Sequence, residues 1–113
     1  MPRTLDETRV PPARVQAAAR RGLDLRAKQS PSNRAGTPVG LARARQLANG
    51  EPVAMRTVLR MVAYFDRHEV DKKGAGWGLD SKGYQAWLLW GGDAGRAWAR
   101  RLKREYSAHR EER

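Results

Sequence analysis

The residues best suited to chemistry in this chain are Asp66, His68, Glu69 and Asp71, in the run DRHEVD. Two or three such groups can hold a metal ion or serve a metal-dependent nuclease. Their spacing argues against both uses. Metal-dependent hydrolysis draws carboxylates from separated elements that converge on bound phosphate. Near-consecutive residues at a helix end point in different directions and are satisfied by water or by ion pairs. Ser81 and the two histidines, His68 and His109, form no nucleophile–base pattern. Without cysteine, the chain has no thiol nucleophile, no disulfide framework and no zinc site of the Cys and His kind. The expectation is a protein that is not an enzyme and takes no cofactor or metal.

What remains is charge. Among 113 residues, 23 Lys and Arg stand against 12 Asp and Glu, a net +11. Self-repulsion of that size in a small domain is usually offset by a polyanion. Most of the cations are Arg, whose planar fork of donors pairs bidentately with phosphate. A nearly neutral middle lies between two basic flanks, so the middle is expected to supply the core and the flanks the electrostatics.

Helical spacing sorts these cations into stripes. Arg96, Arg100 and Arg104 recur every four residues and are displaced by two from Trp98, Leu102 and Tyr106. That displacement is about 200° around a helix, which sets the basic stripe opposite the docked aromatic face. Arg101 and Lys103 widen it. Arg14, Arg21 and Lys28, seven apart, form a weaker counterpart near the N-terminus. Of the four tryptophans, Trp87, Trp90 and Trp98 are expected to fill the core. Trp77, in a stretch rich in Gly and Lys, is the one expected to anchor a loop and to contact a ligand.

The elements that must position these residues are helices. Pro11–Pro12 opens a helix over 13–28, and the turn residues of 29–36 break it. Thr37 and Pro38 read as N-cap and first position of a second helix, stopped by Asn49–Gly50. Met55, Val58, Met61, Val62 and Phe65 recur through a third, 55–67. After an extended glycine-rich loop, YQAWLLW at 84–90 forms a short buried helix, and the last runs over 94–108 behind Asp93. The predicted fold is all-α: a small compact domain of about five helices over 13–108, with a flexible basic tail at 1–12 and a charged tail at 109–113. Val58, Met61, Val62, Phe65, Trp87, Leu88, Trp90, Trp98 and Leu102 are its expected core.

The second and third helices also have the pattern of a helix-turn-helix-like pair. In that arrangement Ala54, Met55, Arg56 and Thr57 approach base edges in the major groove. The turn glycine falls two residues early, at Gly50, and the local charge is nearly balanced. An ordinary antiparallel helical hairpin gives the same pattern. No run of about 18 apolar residues is present, and Arg3, Asp6, Glu7 and Arg9 occupy the place of a signal peptide's apolar stretch. A cytoplasmic protein with no membrane partner is expected.

Four ordered strings, AARRGLDLR at 18–26, TPVGLARARQLANGEPV at 37–53, RMVAYFDRHEVDKKG at 60–74 and AWLLWGGDAGRAWARR at 86–101, resemble a short basic module of tailed-phage and prophage proteins. The module also occurs attached to phage head-maturation proteases. The resemblance implies a viral setting, in the cytoplasm of a bacterial host or associated with the virion. It carries no protease chemistry, because it lies in the module and not in the protease domain. Together these observations predict a non-enzymatic bacteriophage or prophage protein that binds nucleic acid, DNA favoured, mainly through phosphates. The alternative is a protein-interaction module that binds a phage head protein or inhibits a host protein.

Overall fold

The computed structural model describes residues 2–111, and five helices build the body: α1 (Ala13–Ala27), α2 (Pro38–Ala48), α3 (Met55–His68), α4 (Lys82–Leu89) and α5 (Gly92–Glu111). The fold is all-α, as the periodicity predicts. At the start of α1 the carbonyl of Pro12 accepts the N–H groups of Val15 and Gln16 at 3.0 and 3.1 Å. Proline loses nothing there, since first-turn N–H groups have no partner within a helix. The buried face of α1 is small: Val15, Ala18, Ala19 and Gly22. Neighbours therefore come close, and a Cβ added at Gly22 would lie 2.7 Å from the backbone nitrogen of Leu89. This makes α1 the central helix, packed against α2, α4 and α5.

The Thr37 hydroxyl accepts the Gly40 N–H at 3.1 Å to cap α2, and Gly50, at φ 67°, turns the chain after it. α3 buries Met55, Val58, Met61, Val62 and Phe65. It packs mainly on α5, whose Trp98, Leu102 and Tyr106 are all buried, while α2 packs mainly on α1. At the centre the ring of Phe65 meets Trp87 edge-on, with centroids 4.7 Å apart. The expected core residues are buried except Trp90, which is half-buried and stacks parallel on Tyr64 at 4.7 Å.

Three stretches differ from expectation. The segment read as a flexible tail is tied to the body: β1 (Thr8–Arg9) pairs antiparallel with β2 (Val53–Ala54), and Pro2 and Pro11 are fully buried. The reason lies in α3, which begins without a side-chain cap. Its Met55 and Arg56 N–H groups need acceptors and donate to the carbonyls of Glu7 and Leu5, at 2.9 and 3.1 Å. A two-residue strand leaves no periodic trace in a sequence. At the other end α5 continues through Glu111, so the first part of the expected charged tail is helical, while residues 112 and 113 lie outside the described residues. The stretch read as an extended loop starts with a 3-10 turn, Glu69–Lys73, that prolongs α3.

One interior residue in the run YQAWLLW is polar. Gln85 is fully buried; its amide donates to the carbonyls of Asn33 and Asp80 at 2.8 and 2.9 Å, and its oxygen accepts the Ala35 N–H at 3.0 Å. It ties both long loops to α4, and so fixes the end of the loop that carries Trp77. No helix among the described residues is long and apolar enough to cross a membrane.

Candidate nucleic-acid interface

The basic stripe of α5 divides between two neighbours. Arg96 bonds Glu69 at 2.9 Å with its side chain 17% exposed, and its guanidinium lies over the Trp87 ring, 5.7 Å from the centroid. Arg100 bonds Asp66 at 2.8 Å. That hydrogen bond is the main cause holding the Asp66 carboxyl below its usual range, and the charges of Lys103 and Arg96 add to it. Arg96, Arg100 and Lys103 thus lie toward the acidic end of α3. Arg101 is five positions from Arg96, about 140° around the helix, which carries it to the side facing α1. There Arg101, Arg104 and Arg14 rim a depression of about 370 Å³ over Val15, Ala97 and Trp98. The stripe expected to act as one surface is therefore a neutralised edge and a free edge, because α3 presents carboxylates on one side and α1 presents cations on the other.

The free edge belongs to a longer groove. Arg14 also lines a cavity of about 420 Å³ with Arg21, Trp77, Tyr84 and Trp87, and Arg21 lines a third depression of about 330 Å³ with Asp24, Lys28 and Tyr84. Shared walls join the three along one side of α1. Arg14, Arg21 and Lys28 follow one another at seven-residue steps, about 10 Å of helix each. All three are exposed, as are Arg101 and Arg104, and none of the five has an ion-pair partner among the described residues. The groove is built by packing α4 and α5 against the small face of α1, so two stripes separated by more than 60 residues of sequence meet.

Trp77 is half-buried and meets Tyr84 and Trp87 at steep angles, 73° and 75°, with centroids 5.2 and 5.5 Å away. It anchors its loop, as expected, and also forms a wall of the central cavity. Tyr84 is a groove residue that sequence reasoning missed; its hydroxyl accepts from Arg21 at 3.2 Å. Only the tertiary contact marks it. Asp93, expected to cap α5, instead accepts from Lys72 and from the Trp87 indole, both at 2.9 Å on Oδ1. The Lys72 bond is the main cause keeping its carboxyl ionised to lower pH than usual.

The expected base-reading residue stands elsewhere. Arg56 pairs with Asp6, and the backbone at the start of α3 is occupied by the Leu5–Glu7 segment. This is the end of α3 that would enter a major groove, and Arg56, exposed and paired with Asp6, lies outside the three joined depressions. The acidic run disperses: Asp66 goes to Arg100, Glu69 to Arg96, and His68 to Asp71 at 3.1 Å. Among the described residues no three of His, Cys, Asp and Glu gather as a metal cluster.

Fold and surface together define a small all-α domain with a cationic, aromatic-walled groove along α1. No protein-family model, curated protein or solved structure matches the chain.

Proposed function

We propose that this chain is a nucleic-acid-binding protein that holds the polymer in the α1 groove, chiefly through phosphates. The observation that carries this is the alignment of Arg14, Arg21, Lys28, Arg101 and Arg104 along three joined depressions without ion-pair partners among the described residues. A guanidinium left unpaired next to unpaired neighbours is repelled by them, and a phosphate backbone relieves that repulsion at several points at once. The net charge of +11 adds long-range attraction. The resemblance to the tailed-phage module supports a viral setting in which DNA is the abundant polyanion. A salt series with duplex DNA, single-stranded DNA and RNA tests the proposal: log affinity should fall linearly with log salt. Absence of salt-dependent binding to all three would refute it.

A further inference from the structure

We infer that the central cavity of the groove receives one unpaired nucleobase, so that the preferred ligand is a single strand and not a duplex. This rests on the proposal that the groove binds phosphates, and adds what lies between the cations. Arg14 and Arg21 stand two helical turns apart on either side of a cavity of about 420 Å³, a size that holds a small planar ligand. Small residues, Ala17, Ala18, Gly92 and Ala94, leave it room, and the aromatic side chains that line it are Trp77, Tyr84 and Trp87. Unlike Tyr64, which carries stacked rings, Trp77 has no ring parallel to it among the described residues; both of its aromatic neighbours meet it edge-to-face. The Lys72 ammonium lies over the Trp77 ring, 6.0 Å from its centroid, and a flat base between two phosphate-binding arginines adds the parallel stack that these neighbours do not make. Asp93 also lines the cavity, and both of its hydrogen bonds fall on Oδ1, which leaves Oδ2 as an acceptor suited to the amino group of a base. In a duplex the bases are stacked and paired inside the helix, so only a strand with a base free to swing out can use the cavity.

The test uses fluorescence anisotropy with a labelled strand of about 12 nucleotides. It is prepared as DNA, as RNA, annealed to its complement, and with its bases replaced by abasic sites. The intact strand should bind the wild-type protein more tightly than either the abasic strand or the duplex at equal salt, and the DNA and RNA arms show which polymer supplies the base. Trp77→Ala should weaken single-strand binding roughly 5- to 100-fold, the effect of losing one stacked base, with the salt slope unchanged. Trp77→Phe should restore most of it. Because Trp77 is half-buried, circular dichroism must show Trp77→Ala folded. If it is not, the abasic comparison on the wild-type chain decides alone. Salt-dependent binding that treats intact strand, abasic strand and duplex alike would overturn the base cavity and leave the phosphate groove standing. No salt-dependent binding to any of them would overturn both.

Discussion

Replacing the four groove arginines Arg14, Arg21, Arg101 and Arg104 by Gln, beside a control in which Arg96 and Arg100 are replaced, separates binding from folding. All four groove side chains are exposed, and the largest loss inside the fold is the Arg21 bond to the Tyr84 hydroxyl. Their stability cost should therefore stay within about 0.5 kcal/mol each. At about 0.9 of salt slope per duplex phosphate contact and 0.7 per single-strand contact, the groove variant should lose up to about 3.6 or 2.8 of slope. Over a fourfold change in salt the duplex figure alone is a difference of about 100-fold in affinity. The control behaves in the opposite way. Arg96 is largely covered, pairs with Glu69 and lies over Trp87, and Arg100 ties Asp66 to α5. A cation–π contact and two partly exposed ion pairs together stabilise by about 1–3 kcal/mol. At about 4–8 °C per kcal/mol for a domain near this size, the control should melt visibly lower. It should nevertheless keep most of its salt slope. Anisotropy titrations at several salt concentrations and a thermal melt of each variant provide the comparison. A folded groove variant with unchanged slope, or a control that loses slope as the groove variant does, would refute the assignment of cations to the two edges.

Gly22→Ala should destabilise by about 1–3 kcal/mol in thermal or urea unfolding, because the added methyl meets the backbone of Leu88 and Leu89 and the gain in helix propensity does not compensate; an unchanged midpoint would mean α1 and α4 are not in such close approach. Gln85→Leu should cost about 2–4 kcal/mol by leaving the Asn33 carbonyl and the Ala35 N–H without their partner, while the Asp80 carbonyl keeps the Asn33 side-chain amide, and hydrogen exchange at the Ala35 amide should quicken; unaltered exchange there would count against the staple. Stability should also decline at both ends of the pH scale. Burial raises the Tyr64 phenol above its unfolded value, so that contribution is present below about pH 10 and is lost as pH rises further. The Asp66 and Asp93 carboxyls are lowered by their hydrogen bonds to Arg100 and Lys72, so theirs is present above about pH 4 and is lost as pH falls. Urea midpoints measured near pH 3, 7 and 11 should be highest at neutrality, and a midpoint as high at either extreme would contradict the corresponding assignment.

The helices were legible because their signals are local. Thr37–Pro38 and Asn49–Gly50 bound α2 in the sequence and in space alike, and the apolar repeat from Met55 to Phe65 is the buried face of α3. Smaller local signals were less visible. Ser81 caps α4 through the Tyr84 N–H at 3.2 Å, three positions ahead of the aromatic run that first suggests a helix. Gln85 disappears among apolar neighbours until its three backbone partners are brought to it from other loops.

The amino-acid sequence by itself determined where helices form, which faces are apolar, and that the surface is strongly basic, since each depends on residues within a turn or two of one another. Which cations are free was decided only by the tertiary structure. Arg96 and Arg100 resemble Arg101 and Arg104 in type and helical setting, yet α3 brings carboxylates to the first pair and α1 brings Arg14 to the second. The same holds for Arg56, neutralised by Asp6 from 50 residues away. A charge acts through the field of its spatial neighbours, and at these separations along the chain the packing of the helices, not the spacing of residues, chooses those neighbours.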